Sequence, residues 1–414
     1  MEGDILKLRF LFVLTALSAC CVSQAASRFD ISVHNKSGAA LPAHTVVLPF
    51  SEVKRMLPDV IFDQVIVRDA RGTVISSQVT AMRHVHKGPQ VYDDLLFQHD
   101  FAAGEKTAKF TVEAVANPGP PVTSKVFARV VPERYDDFAW ENDKVAHRAY
   151  GPGLELPSAT KDQMTSSGLD LWAKKVPYSI IDRWYHKGHD GLHTDTGEGL
   201  DFYEVGTTRG VGGSGIWDGQ KLSVSKNWRT WNVYANGPVR AIFELGYEAW
   251  DAGNGVQVKE TKRFVVDAGR YLDEVSSKFE FTPPAASDGT LTVAIGLTEH
   301  PSQGEVAASR NEKGRWIALW EKYKAPEDGE LGTAVVLSSE ARFAGFAHTQ
   351  PLPNGRSESL VLVKVKPGET VRYLVGGAWN KARDITNAEQ WNAYVSAWSE
   401  RTGQSTVTEI SSAR

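Results

Sequence analysis

"VRAIFELGYEAWDAGNGVQVKETKRFVVD", residues 239–267, alternates apolar and polar residues on both sides of a Gly253-Asn254-Gly255 turn. Alternation at period two puts one face of each strand into a core, and glycines supply the positive φ values of a tight turn. The stretch predicts a long antiparallel hairpin. "YLDEVSSKFEFT", "TLTVAIGLTEH", "GRWIALWEKY", "TAVVLSS" and "SLVLVKVKPGETVRYLVGGAW" continue the pattern downstream. That many antiparallel strands over roughly 250 residues predict one large β-sandwich, residues 126–402, rather than two separate domains. A capping box of Thr386 and Glu389 opens a closing helix whose Trp391, Tyr394, Val395 and Trp398 share one face. Residues 403–414 read as a tail.

Upstream, residues 27–116 carry short strands such as "HTVVLPF", "QVIVRDARGTVISSQVT" and "KFTVEAV", with turns at Asp69-Ala70-Arg71-Gly72 and Ala103-Gly104-Glu105. Close spacing without clear amphipathic helices predicts a small β-sandwich. "NPGPP", residues 117–121, interrupts any ladder and marks the domain boundary. The expected fold is mainly β: a small N-terminal sandwich, then a large antiparallel sandwich with its C-terminal helix.

The 414 residues carry a formal net charge of only -4, which gives no reason to expect a nucleic-acid partner. Residues 1–26 read as an export signal, with Lys7 and Arg9 before a largely apolar run at 10–17 that is too short to span a membrane. Two cleavage readings stay open. Leu17-Ser18-Ala19-Cys20 resembles a lipobox, which would anchor the protein to a membrane through Cys20. Ser23-Gln24-Ala25 suits cleavage before Ala26 and a soluble periplasmic product. Cys20 and Cys21 are the only cysteines, so cleavage after Ala25 leaves no thiol. A disulfide framework, a thiolate nucleophile and cysteine-ligated zinc are then excluded.

Chemistry-bearing residues concentrate in "DRWYHKGHDGLHTDTGEGLDFY", residues 182–203. His186, His189 and His193 would align on a helix, but Gly188, Gly191, Gly197 and Gly199 argue against one there. A divalent metal is the disfavoured alternative; no cofactor is expected, and no nucleotide motif is present. The favoured use is acid/base chemistry by Tyr185, His186, Glu198, Asp201 and Tyr203. Neighbours on a strand point to opposite faces, so only one of Tyr185 and His186 would reach a given site. "VGTTRGVGGSGIW", residues 205–217, lacks the Lys-Ser/Thr of a phosphate loop and reads as a bulged sheet edge or tight backbone around a ligand. "RYDDFAWENDKVAHRAYGP", residues 134–152, adds Trp140, Arg148 and Tyr150. Arg148 or Arg183 would clamp a uronate carboxylate through two parallel hydrogen bonds. Arg240 and Trp217 complete the expected substrate contacts; His300, Trp316, Trp320 and Glu321 are secondary candidates.

The segments "DDFAWENDKVAHRAYGP", "WYH" with "GEGLDFYEVGTTRGVGG", and "NGPVRAIFELGY" resemble the Gram-negative bacterial domain-of-unknown-function family 4861. The resemblance runs over almost the whole exported chain and is most specific between Tyr185 and Gly213. It implies a galactose-mutarotase-like supersandwich that accompanies the breakdown of pectin and other uronic-acid polysaccharides. Extra residues between His186 and Gly197-Glu198-Gly199 depart from the pattern and weaken any role for His189 and His193.

The expectation is an exported carbohydrate-active protein, periplasmic or an outer-membrane lipoprotein, whose partner is an acidic oligosaccharide or polysaccharide. An enzyme is expected, with β-elimination on uronate oligosaccharides preferred. Arg148 or Arg183 would neutralise the carboxylate, while His186 with Tyr203 or Tyr185 moves protons. The alternatives are a hydrolase using Glu198 and Asp201, a mutarotase or epimerase with His186 as acid and Glu198 as base, and a noncatalytic binder stacking sugars on tryptophans.

Overall fold

The computed structural model describes residues 27–83, 90–120, 122–253, 255–282, 288–402 and 406–413. Residues 1–26, the segment read as an export signal, with Cys20 and Cys21, lie outside the described residues, as does Asn254 of the hairpin turn.

Arg240–Asp251 and Gln257–Asp267 pair antiparallel from Arg240↔Asp267 to Asp251↔Gln257, as their alternation predicts. They belong to an eight-stranded antiparallel sheet in the order Thr230–Asn236, Arg240–Asp251, Gln257–Asp267, Leu272–Phe281, Thr370–Trp379, Glu330–Leu337, Trp316–Tyr323, Gly304–Asn311. A five-stranded sheet centred on Leu291–Glu299 also contains Val211–Trp217, Ser357–Val365 and two edge strands. A second five-stranded sheet runs Gly199–Leu200, Leu169–Lys174, Ala146–Ala149, Asp137–Glu141, Phe127–Val131. All three feed one apolar core, to which they send Phe243 and Phe264, Ile295 and Val361, and Phe138 and Leu171 respectively. Each such side chain contributes about 1.5–3 kcal/mol when fully buried. The glycine-rich run forms Val211–Trp217, bulged between Val211 and Ser214 as expected, but it lies inside the sheet, between Leu222–Ser223 and Leu291–Glu299, and not at its edge. Gly210 (φ +58) is required just before it, because a Cβ there would meet the Leu169 carbonyl oxygen at 1.9 Å.

The N-terminal sandwich stacks a three-stranded sheet against a five-stranded one around Phe29, Ile31, Val46, Phe97 and Phe110. A short helix, Phe50–Met56, interrupts its strands; its buried Phe50 and Val53 are too few to show as an amphipathic pattern in sequence. The run beyond Thr402 is more than a tail. Thr406–Ala413 pairs antiparallel with Arg28–Asn35 at the edge of the five-stranded sheet, and Ile410 packs against that core. Its polar composition hid a strand that buries one apolar side chain. Thr45 Oγ1 donates to Asp267 Oδ2 (2.8 Å), and Gln98 Nε2 to the Ala268 carbonyl (2.9 Å), joining the sandwich to the large sheets.

Helix Ala388–Arg401 lies on the outer face of the eight-stranded sheet. Alternation divides Trp316–Tyr323 between two cores: Ile317 and Leu319 face inward, while Trp316, Ala318 and Trp320 meet Trp391, Val395 and Trp398 of the helix. Asn387, not Thr386, is the N-cap, accepting from the Gln390 amide (3.0 Å), while Gln390 Oε1 accepts from the Thr386 amide (2.8 Å). The cap sits one residue later than the sequence pattern predicts because Asn387 has the extended backbone a cap requires. Gly332 lets the Trp391 indole reach the sheet, since a Cβ there would meet Trp391 at 2.8 Å and Trp320 at 2.9 Å. Gly332→Ala should therefore cost about 1–3 kcal/mol by overpacking. An unchanged midpoint in denaturant titration would contradict this docking.

Candidate functional site

The second five-stranded sheet carries polar groups on its outer face. Phe138, Trp140, Leu169 and Leu171 point into the main core, so Asp137, Arg148, Asp170 and Lys174 share the opposite side with Ala139, Ala146 and Trp172. Two short helices, Ile181–His186 and Gly188–Leu192, cover that side through Ile181, Trp184 and Leu192. The glycines of this stretch do not prevent helix. Gly188 (φ +75) takes the left-handed conformation between the two helices, and the missing side chain of Gly191 makes room for Lys187 Cβ.

Two carboxylates fasten the cover. Glu141 accepts from the amides of Ile180 (2.8 Å) and Ile181 (3.0 Å) at the start of the first helix and from Lys174 Nζ (2.6 Å). Glu198 accepts from Tyr178 Oη (3.1 Å), Arg183 Nε (2.9 Å), Trp184 Nε1 (3.1 Å) and Lys187 Nζ (3.0 Å). Against the cost of its burial, these donors hold Glu198 down to about 2. A carboxylate so saturated neither takes nor gives a proton near neutrality; Glu198 is a structural anchor.

Beneath the cover, Arg148 (8% exposed) serves several acids. Its Nε and Nη2 donate to Asp170 Oδ2 (3.0 and 2.5 Å), Nη2 also reaches Asp201 Oδ2 (3.1 Å), and Nη1 stands 3.8 Å from Asp137 Oδ2. One guanidinium cannot neutralise three buried carboxylates. Burial therefore raises all three: Asp137 to about 6, Asp170 above its ordinary value, and Asp201 far above it, with Asp170 adding to the rise at Asp201. Tyr150 and Trp172 lie under the guanidinium, each 5.3 Å from its carbon. Tyr185, half-buried on the cover, directs its hydroxyl at Asp137 Oδ2 (3.4 Å); burial and then that charge hold the phenol well above its usual range.

The backbone entering this cluster is strained. Tyr135 (φ 54) and Asp136 (φ 61) are consecutive non-glycine residues in the left-handed region, immediately before Asp137. Such conformations cost about 1–3 kcal/mol each and concentrate at functional sites. Arg134 sits at this corner with its Nη1 buried and without a hydrogen-bond partner, and its charge opposes the burial-driven rise at both Asp137 and Asp201.

The residues singled out in sequence separate into groups. Arg148, Tyr150, Asp201 and Tyr185 come together. His193 joins them only indirectly, its Nδ1 bonding the Asp201 carbonyl oxygen (2.5 Å); the side chain of His189 lies outside those described. His186 is exposed on the helix, close enough for its charge to reach Glu133, and turns away from the cluster because adjacent helical residues project about 100° apart. Arg183 is 60% exposed and pairs with Glu198. Tyr203 lies elsewhere, its ring 4.9 Å from that of His300, which contacts Glu321 (3.1 Å) and the Glu204 carbonyl oxygen (2.7 Å). Trp140 is a core residue bonded through Nε1 to Asp273 (2.9 Å), so it offers no sugar-stacking face. Arg240 makes a bidentate pair with Asp267 (2.5 and 2.7 Å), and Trp217 packs against Ala294, Leu360 and Leu362 on the other five-stranded sheet. Trp316 and Trp320 are covered by the C-terminal helix. Among the described residues, no group of three or more His, Cys, Asp or Glu side chains is arranged for a metal ion.

Sequence reasoning missed Arg134, Asp137 and Asp170. The signal for Asp170 was present in "LDLWAK", where a buried-looking strand alternates Asp170 and Lys174 with leucine and alanine.

Next to the cluster, Asp273 and His147 make a second buried titrating pair, 3.9 Å apart. Burial raises Asp273 to about 7 and lowers His147 to about 4. A raised carboxyl stabilises the fold below its unfolded pKa and loses that contribution as pH rises through about 7. Asp273→Asn should remove this loss while keeping the Trp140 bond. Its stability relative to the parent should grow by about 2 kcal/mol between pH 5 and pH 8. A pH-independent difference in chemical denaturation would refute the assignment.

Comparison with known proteins adds three findings. A family model described as "Domain of unknown function (DUF4861)" matches residues 33–407. A protein of Formosa agariphila named "Uncharacterized protein P7" is 32% identical over 406 residues, covering 96% of this chain and 97% of that one. Among solved structures, a glycosyl hydrolase family 38 protein of Enterococcus faecalis aligns with 10% identity and a TM-score of 0.46 over 93% of this chain. An alpha-mannosidase from Enterococcus faecalis V583 aligns with 11% identity and a TM-score of 0.45 over 94%. The chain spans only 47% and 46% of those two longer proteins.

Proposed function

The chain belongs to the DUF4861 family, and from that premise we propose that it is an exported enzyme of acidic-glycan breakdown, of the pectin type. The reaction is proton transfer at a uronate-containing oligosaccharide, with β-elimination as the preferred form. The observation that carries this reading is the buried set of Asp137, Asp170 and Asp201 around Arg148, with the Tyr185 hydroxyl at its edge.

The roles differ from those the sequence suggests. Arg148 has its charge committed to Asp170 and Asp201, so it positions the acids and does not clamp substrate. Arg134 has its Nη2 3.8 Å from Asp162 but its Nη1 unpartnered, and that nitrogen is the one we assign to a uronate carboxylate. As the sugar C5 proton moves to the Tyr185 oxygen, the phenolic proton passes to Asp137; the reverse transfer protonates the leaving oxygen. Asp137, near 6, is suited to holding that proton between the two steps. Asp170 and Asp201 share the Nη2 donor of Arg148 and are buried side by side, an arrangement unsuited to the opposed carboxyls of glycoside hydrolysis. Export to the periplasm or outer membrane completes the proposal, on the leader read at residues 1–26.

Incubation with pectin, rhamnogalacturonan and oligouronides, followed by ultraviolet absorbance and product NMR, tests the reaction. New conjugated double bonds are expected. Unchanged bond numbers and anomeric ratios on every substrate would reject an enzymatic function and leave glycan binding.

A further inference from the structure

Sharing no residue with the carboxyl cluster, a cavity of about 460 Å³ opens between the N-terminal sandwich, the C-terminal helix and the start of the last strand. Its size lies within the range of small-molecule sites. Lys36, His44, Arg270 and Arg401 line it, together with Leu41 and Trp398. Both guanidinium groups stand over the Trp398 ring, at 4.9 Å for Arg270 and 4.8 Å for Arg401. Desolvated contacts of this kind fix where an arginine head points.

The charges do not balance. Asp267 is the carboxylate bonded to Arg270, at 2.8 Å, and it already serves Arg240. Arg401 donates from Nη2 to the Ala40 carbonyl oxygen (2.8 Å), and among the described residues neither it nor Lys36 ion-pairs with a carboxylate. Burial, opposed by Tyr394 and reinforced by Arg270, lowers the pKa of Arg401, as expected of a cation short of counter-charge. His44 is lowered to about 4 by burial and then by Arg270, so it is neutral near pH 7, and its Nε2 is bonded to Thr406 Oγ1 (2.9 Å).

We propose that this cavity is a second, noncatalytic site for an acidic saccharide, whose carboxylate or sulfate group is held by Arg401 and Lys36 beside Arg270. The site does not depend on the elimination chemistry. It would hold one unit of an acidic chain outside the reaction cluster, adding avidity for polymers over short fragments.

Calorimetry on the full chain tests it, with a galacturonate trisaccharide, a sulfated galactose trisaccharide and the neutral galactose trisaccharide as probes. The double variant Lys36→Gln/Arg401→Gln should lose about tenfold or more in affinity for one or both anionic probes. Arg401→Lys should retain most of it. The thermal midpoint should stay within a few degrees, and turnover of a short substrate should not change. Loss toward one anionic probe only identifies the anion as carboxylate or sulfate. The proposal is overturned if the double variant binds both anionic probes like the parent, if the neutral probe binds this site equally well, or if Arg134→Gln alone abolishes all binding. These binding readouts stand even if no substrate is turned over.

Discussion

Tyr185→Phe should lower turnover on an acidic oligosaccharide by about 10²–10⁴-fold, with a small change in KM. The phenol ring packs 5.1 Å from Trp172 and the hydroxyl projects toward Asp137, so removing one oxygen leaves the packing and deletes the proton path. Asp137→Asn should be as severe, and it should also erase the acidic limb of the pH–rate profile, which in the parent rises through about 6. His186→Ala, on the exposed side of the same helix, should stay within about twofold of the parent, well below the 10²-fold effect of a proton-transfer group. Full activity in Tyr185→Phe would end this mechanism; loss of activity in His186→Ala would return the chemistry to the surface of the cover.

Arg148→Met should be the most destabilising substitution in the site. Methionine fills much of the volume between Tyr150 and Trp172, but Asp137, Asp170 and Asp201 then have no counter-charge. Breaking a buried ion pair by removing one partner costs about 3–5 kcal/mol. The sign of the pH dependence follows from the same acids. Without the guanidinium their folded pKa values rise further, so the loss should be largest at pH 8 and shrink as pH falls toward about 6, where Asp137 already takes up its proton in the parent. Denaturant titrations at pH 8 and pH 5 measure it. A pH-independent loss would mean that packing, rather than charge, is what Arg148 supplies.

Sequence periodicity revealed what is repeated and concealed what occurs once. The hairpin at 239–267 and the strands after it were legible because alternation recurs over many residues and the core is continuous. The closing strand Thr406–Ala413 was not legible, because a polar edge strand buries too little to leave a pattern. In the site, Arg148, Tyr185 and Asp201 were readable as residue types, but their partners lie on different strands. Asp170 reaches Arg148 only because the two are directly opposite across the Ala146–Ala149 and Leu169–Lys174 pair. His186 drew attention by its chemistry, yet helix geometry turned it outward. Glu198 was expected to titrate until four donors were seen to surround it.

The pairing of Arg28–Asn35 with Thr406–Ala413 bears on how the molecule is made. A chain is synthesised from its N-terminus, so the first strand meets this neighbour only after the segments between them have been made. Until then one edge of that sheet is open, a template for another chain. The supersandwich must therefore mature while its N-terminal sandwich is still incomplete, and the last strand acts as a latch that closes a circle in the polypeptide. Loss of those eight residues would leave the carboxyl cluster in place and one edge of the N-terminal sheet unsealed, so truncation there would show first as self-association.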